Sequence, residues 1–385
     1  MTEFPATSDA VVIGGGVIGL AVARALATRG LRKIIVVERA TLGAESSSAA
    51  AGMLAPQAEA DSPDDFFYLT CQSRDLYPSF AAELSDETGI DVELDTTGTL
   101  YLAFDEQDAA KLQERLEWQS SAGLACELLS TEEARQLEPS ISKDVWMALK
   151  FPNDTQVENR RLISALAAAN ERMGVLLAKG TKVNSLQSKR GRLYGVETSR
   201  GFISTENVVI AGGAWSSDLT LNDQPPSDKA LPGLRIEPVR GQMICFEANP
   251  QVVRHVIYSH GGYIVPRRDG RLLAGSTTEY AGFDRRVTAG GMQSISSAAL
   301  EICPAIGSLP LSDSWAGLRP RAADGLPVLG PCAEIAGVFY ATGHYRNGIL
   351  LAPLTANLLA EAIIDKVISQ PLETFSPDRF SRVSV

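Results

Sequence analysis

Gly14, Gly16 and Gly19 stand at the first, third and sixth places of a turn, Gly14-Gly15-Gly16-Val17-Ile18-Gly19. The turn follows an apolar run, Ala10–Ile13, and opens an Ala/Leu-rich stretch, Leu20–Thr28. That spacing suits a dinucleotide pyrophosphate. Gly14 permits the tight turn, Gly16 lets the anion approach the backbone, and Gly19 lets a helix pack closely on a strand. The N-terminus of such a helix turns unpaired N–H groups toward the phosphates. Glu38 ends a second apolar run, Ile34–Val37, and its carboxylate is placed to accept hydrogen bonds from ribose hydroxyls. An acid there speaks against a 2′-phosphate, hence against NADP. The alternative is a glycine turn that serves packing alone. The strand–turn–helix–strand context argues against it, because glycine in a helix costs about 1 kcal/mol and three placed here need a reason.

FAD and NAD share that fingerprint, and two further segments separate them. Ser46–Met53 is a run of small residues in which a long cofactor can lie against backbone, although a flexible Ser/Ala loop has the same composition. Near the other end, Val338–Thr342 reads as a strand, Gly343–Gly348 as a loop and Ile349–Pro353 as the start of a helix. Proline is tolerated in a first helical turn, where the N–H groups lack intrahelical partners. A second helix N-terminus, some 330 residues after the first, is more than one NAD needs. FAD fits: its pyrophosphate sits on the first helix, and the last helix points its positive end at the flavin C2 carbonyl, stabilising the charge of reduced flavin.

Leu318-Arg319-Pro320 reads as the end of a short strand, where a guanidinium fork can bind a carboxylate in bidentate fashion. A surface or interdomain salt bridge is the plainer fate of an arginine in an acidic protein. Oxidation of an amino acid to its imine removes two electrons from Cα, most simply as a hydride passed to flavin N5 from a substrate with a neutral amine. No side-chain base is then required, and catalysis is mostly orientation. Competing chemistries lack residues. His255 and His260 are five apart on a strand-and-loop and share no face as metal ligands do; His344 lies in the late glycine loop, either orienting it or acting in catalysis. Ser47 and Ser48 lack the G-x-S-x-G setting of a serine hydrolase. Trp118, Trp146 and Phe66-Phe67-Tyr68 read as core or interface rather than a ligand cage.

The elements that must position these groups are partly legible. Helices are expected at Asp105–Ser121, Asn159–Met173 and Ala352–Val367, the last one amphipathic, and strands at Thr99–Phe104, Val208–Ala211, Gln242–Glu247, Tyr263–Pro266, Leu272–Gly275 and Val338–Ala341. Segments 90–104 and 234–280 read as β hairpins, and Asn222–Gly233, with its three prolines, as a linker or exposed loop. The fold class is α/β: a Rossmann-like FAD-binding domain of discontinuous segments (1–85, 150–230, 318–385) with a β-rich substrate-binding domain (86–149, 231–317).

Composition is consistent with this. The 385 residues are 45% hydrophobic and 21% charged, enough for more than one core at about 150 residues per domain. A formal charge of −11 repels phosphate backbones and anionic lipid, so no nucleic-acid partner and no stable membrane association are expected. Met1–Pro5 lacks the basic n-region of a signal peptide, and the apolar run Ala10–Ala23 is too short and too broken to span a bilayer. Five widely spaced cysteines, with no Cys-x-x-Cys, indicate neither a disulfide framework nor a zinc site. A cytoplasmic, reducing compartment fits best.

Taken together, Val11–Gly19, Ser48–Leu54, Val209–Ser216, Tyr263–Pro266, Trp315–Pro320, Asp324–Pro327 and Gly343–Pro353 resemble the D-amino-acid oxidase superfamily of FAD oxidases, in family order over almost the whole chain. The likeness is greatest to its glycine-oxidising branch, which supplies glycine imine for thiamine-thiazole assembly. The resemblance implies FAD contacts from Gly14, Gly16, Val17, Ile18, Gly19, Glu38, Arg39, Ser46, Ser47, Ala51, Gly52, Met53 and Val183, and from the loop His344, Tyr345, Arg346, Asn347, Gly348, Ile349 and Leu350. It matches Arg319 to the arginine that clamps the substrate carboxylate, Arg346 to a second arginine beside it, and Tyr263 to a tyrosine that hydrogen-bonds the carboxylate. Oxygen would reoxidise the flavin to give hydrogen peroxide, and the imine would hydrolyse to a keto acid and ammonia. A homo-oligomer is a further family expectation. Some members carry a histidine two positions ahead of the tyrosine, here Gly261, and the position fifteen after it is Thr278; both are expected to alter the pocket roof. Two alternatives remain at this point: an oxidase or dehydrogenase of larger D-amino acids, and a flavin-binding partner without turnover.

Overall fold

The computed structural model describes residues 4–222, 231 and 234–380. Apart from Asn222 and Leu231, the expected Asn222–Gly233 loop lies outside the described residues. Ala10–Ile13 and Ile34–Val37 are strands in which every residue is buried. Both faces of their sheet are covered, which is why their apolar runs do not alternate with polar residues. Ala10, Val12, Ile34, Val36 and Val209 face the helices Val17–Thr28, Asn159–Arg172 and Gly348–Ala360. Val11, Ile13, Ile35, Val37, Val208 and Ile210 face the opposite way, onto a four-stranded sheet built from Val183–Lys189, Arg192–Thr198, Gly201–Ser204 and Thr220–Leu221.

The central sheet has six strands, in the order Val328–Pro331, Val338–Thr342, Val208–Ile210, Ala10–Ile13, Ile34–Val37, Leu176–Ala178. All neighbours are parallel except the Val328–Pro331 edge. The first helix starts at Val17, three residues before the expected Leu20, so Gly19 lies inside it. A Cβ on Gly19 would come within 2.0 Å of the Gly14 carbonyl oxygen, so the close helix–strand approach requires glycine there.

A second sheet has eight strands, in the order Leu311–Ala322, Ile236–Glu247, Arg271–Gly275, Gly262–Pro266, Val256–Ser259, Thr99–Ala103, Met147–Phe151, Glu127–Ser130. One face packs on the Ala289–Ile302 helix through Ile244, Phe246, Ile264 and Leu272; the other presents Met243, Cys245, Tyr263 and Leu273 toward Ala51 and Ala55. Period-two alternation thus sorts core from cavity. Segment 90–104 is not a hairpin: only Thr99–Ala103 is a strand, and it runs parallel to Val256–Ser259. Nor does Arg319 end a short strand. It lies near the end of Leu311–Ala322, twelve residues long, paired with the equally long Ile236–Glu247 from Ile236–Ala322 to Phe246–Leu311. Ile236 and Ala322 reach the core under the six-stranded sheet, while Ile244 and Phe246 lie in that of the eight-stranded sheet, so this ribbon joins the two halves. The boundary expected between 317 and 318 therefore falls inside a strand.

The last long helix starts at Gly348, one residue before the expected Ile349 and four before Ala352, is buried nearly all round rather than amphipathic, and passes through a π turn, Glu361–Asp365. By length and mean hydropathy (1.5 over 18 residues) Gly348–Asp365 could cross a bilayer, yet 67% of it is buried within the fold. Pro353 is the sixth residue of this helix, beyond the first turn. Its missing N–H leaves the Ile349 carbonyl free, and that oxygen accepts instead from the buried Tyr77 hydroxyl; the Leu350 carbonyl accepts from Ser73 Oγ at 2.7 Å.

Candidate active site

A cavity of about 330 Å³ runs between the two halves, walled by residues from Ile13 to Ile349. Gly14, Gly16, Val17 and Ile18 form one part of its wall, with Glu38, Arg39, Val183 and Trp215. Ser46, Ser47, Ala51, Gly52 and Met53 form a second part, and His344, Tyr345, Arg346, Asn347, Gly348 and Ile349 a third. Arg319, Tyr263, Gly241, Met243 and Glu59 complete it. Two expected contacts are not on the wall: Gly19 faces the Gly14 carbonyl, and Leu350 is buried in the helical core. Gly261 and Thr278, expected in the roof, do not line the cavity either; Gly261 faces Ala298 of the outer helix.

No side chain at Gly16 or Asn347 caps the helix that follows it, so two helix N-termini present backbone donors to one cavity. One donor at the first terminus is taken, since Val17 N–H gives its hydrogen to Ser47 Oγ at 3.0 Å. Glu38 folds back on its own turn, accepting from Gly15 N–H and Ala40 N–H, each at 2.8 Å. A carboxylate has about four acceptor sites, so capacity remains toward the cavity. Arg39 stacks on the Trp215 ring at 3.8 Å and pairs with Glu45 at 2.9 Å.

The small-residue run is not a loose loop. Ser46–Ala49 is a short helix; Ser46 Oγ donates to the Leu318 carbonyl at 2.6 Å and Ser48 Oγ to the Gly43 carbonyl at 2.6 Å. Trp315 Nε1 donates to the Ala49 carbonyl, and the buried Arg267 to that of Ala51. The run is thereby tied to the strand that carries Arg319.

Arg319 lies flat over Gly241. A Cβ there would stand within 2.3 Å of Cζ and both Nη atoms. Nη1 donates to the Thr277 carbonyl at 3.0 Å and Nη2 to Ser276 Oγ at 2.7 Å, which leaves other donors of the fork unused. Burial, together with Arg346 nearby, lowers its pKa; a guanidinium holds its proton so strongly that it stays charged. Tyr263 is buried, and among the described residues its hydroxyl donates only to Met243 Sδ at 3.4 Å, a weak acceptor that a carboxylate would outcompete. Among the described residues Arg346 makes one ion pair, with Glu59 at 3.6 Å; that carboxylate is the main reason its pKa is raised.

The loop carrying Arg346 is fixed by its neighbours. Tyr345 takes a left-handed backbone (φ +49), costly for a bulky residue, held by its N–H donation to the Pro320 carbonyl at 2.9 Å. His344 is buried, with Nε2 3.1 Å from Thr355 Oγ1, and burial pushes its pKa down to about 3, so it is neutral and orients the loop. His255 pairs with buried Glu138 at 2.6 Å, while His260 lies in the turn before Gly262. Of the aromatics, Phe67 and Trp118 pack edge to face at 5.1 Å; Trp146 and Tyr68 are exposed.

Sequence reasoning missed Glu59, Gly241, Met243 and Trp215. Met243 lies in the expected strand Gln242–Glu247, but nothing in that strand's sequence marks which of its faces meets a cavity. Glu59 and Gly241 had no signal, because their roles exist only through tertiary neighbours.

Residues 9–362 match the family of FAD dependent oxidoreductases, DAO. Among curated proteins, a glycine oxidase of Geobacillus kaustophilus is 37% identical over 96% of this chain and 97% of its own length. A bifunctional protein ThiO/ThiG of Trichormus variabilis is also 37% identical, over 98% of this chain and 56% of that longer protein. The crystal structure of glycine oxidase from Geobacillus kaustophilus superposes with a TM-score of 0.90 at 36% identity, covering 96% of this chain and 98% of that one.

Proposed function

Because the chain belongs to the family of FAD-dependent oxidoreductases, we propose that it oxidises glycine and other small amines, such as sarcosine and small D-amino acids, to the imine. It is an FAD-dependent enzyme. The residues of the cavity fit that cofactor, with two uncapped helix N-termini and an acid at the tip of the second strand on one continuous wall. When bound, FAD supplies the two-electron acceptor, and oxygen, reduced to hydrogen peroxide, regenerates it. Water then converts the imine to keto acid and ammonia, unless it is consumed in thiazole assembly. The reading extends to the split into a cofactor-binding and a substrate-binding half, to a homo-oligomer, and to a cytoplasmic setting in which five free cysteines are at ease.

The chain's own part is to orient the substrate. Arg319 holds the carboxylate through its spare donors, Tyr263 gives a hydroxyl hydrogen to the same group, and Arg346 adds charge beside it. The single observation behind this is the Arg319 guanidinium, laid on a bare glycine and pinned from one side by Ser276 and Thr277. A peroxide-coupled panel of amines on flavin-loaded protein tests it. Glycine and sarcosine should turn over, and glycine should bleach the flavin absorbance without oxygen. Preference for D-Ala or D-Pro would move the assignment to larger substrates, and bound FAD with no turnover of any amine would end it.

A further inference from the structure

Three charged side chains gather at the Tyr263 part of the cavity: Arg319, Arg346 and Glu59. Arg346 feels Glu59 more than any other group, and Arg319 feels Arg346 and Glu59 together. Glu59 is firmly placed. Its Oε1 accepts from the Tyr258 hydroxyl at 3.0 Å and faces Arg346. Its short helix, Pro56–Glu59, is anchored from behind, since Gln57 and Ala58 N–H both donate to the fully buried Asp154 carboxylate, which Arg74 also contacts. Arg346, by contrast, has no hydrogen bond to any described residue. Two guanidiniums and one carboxylate leave a net charge of one, which a single substrate carboxylate cancels.

We propose that Glu59 is a specificity-determining residue: by neutralising Arg346 it limits the pocket to amines bearing one carboxylate and rejects those with a second anionic group. This rests on the amine-oxidising reading of the cavity. A second carboxylate would bring uncompensated negative charge beside Glu59 in a pocket walled by Met243 and Tyr263, where screening is weak. Glu59→Gln keeps the shape and an acceptor for Tyr258 while removing the charge.

The test compares ligands of one shape and two charges on the holoenzyme. Malonate and its monoamide, titrated against the flavin absorbance, should differ in the wild type, with malonate at least tenfold weaker. In Glu59→Gln the gap should close at least tenfold, and the kcat/KM ratio of iminodiacetate to its monoamide should rise by a similar factor. Equal wild-type binding of malonate and monoamide overturns the proposal even if the variant does not fold. A gap that persists in flavin-loaded Glu59→Gln also overturns it. These titrations need no turnover, so a failed amine panel and a failed role for Glu59 are separate outcomes.

Discussion

Arg319 keeps its place because residue 241 offers no side chain to compete for the space. Removing the guanidinium should cost about 2 kcal/mol or more of carboxylate binding, so Arg319→Ala is expected to raise the glycine KM ~30-fold or more. The visible spectrum should still show bound FAD; an unchanged KM would discredit the clamp. Gly241→Ala should act in the same direction, its methyl displacing the guanidinium, with flavin again retained. His344 makes a different prediction. Its pKa of about 3 in the fold lies below the ordinary 6.5. As pH falls through 6.5 the unfolded chain gains a proton that native His344 refuses until about 3. Stability is therefore lost over that window, by about 1.4 kcal/mol per pH unit from this group. Denaturant midpoints at pH 7 and pH 5 should differ less in His344→Asn than in the wild type; equal differences would contradict a buried neutral ring. That Arg319, Tyr263 and Arg346 share one cavity wall is legible because each sits in a short motif. Glu59 was not, since nothing in Pro56–Glu59 reveals that Arg346 will face it.

The helix that opens at Gly348 shows how an element can be read correctly in kind and wrongly in detail. Its apolar run is plain in the sequence, and Pro353 reads as part of a first turn opening at Ile349, while the amphipathic stretch reads from Ala352. The fold instead accepts proline at the sixth position by giving the orphaned Ile349 carbonyl to Tyr77. Tyr77→Phe should therefore destabilise by about 1–3 kcal/mol, the cost of an unsatisfied buried acceptor. Pro353→Ala restores a helical N–H to that carbonyl, so the double variant should recover part of the loss in denaturant titrations. Strict additivity would show that the two residues do not share the acceptor. The four-stranded sheet from Val183 to Leu221 escaped sequence reading for another reason. It is a cover with exposed residues such as Tyr194 and Phe202, and its alternation is broken by register shifts near Leu193 and Glu197.

On the scale of the whole molecule, the parallel order of the central sheet followed from the opening strand–helix–strand unit and the right-handed rule for such crossovers. The joining ribbon did not, because twelve paired residues spanning two cores have no local signature. On the proposed reading, FAD in a cavity walled by both halves should stabilise them jointly, by about 2.7 kcal/mol when present at a hundred times its Kd. Thermal unfolding should shift upward in one transition on loading; two transitions with only one moved would place the cofactor within a single half. The wall also has a temporal consequence. Gly14 leaves the ribosome about 335 residues ahead of Ile349, which at 5–20 residues per second is on the order of half a minute. Throughout that interval the nascent polypeptide has the Gly14 part of the cavity wall without the His344–Ile349 part. Flavin capture is therefore expected late in biogenesis, and products terminated before Gly343 should emerge colourless.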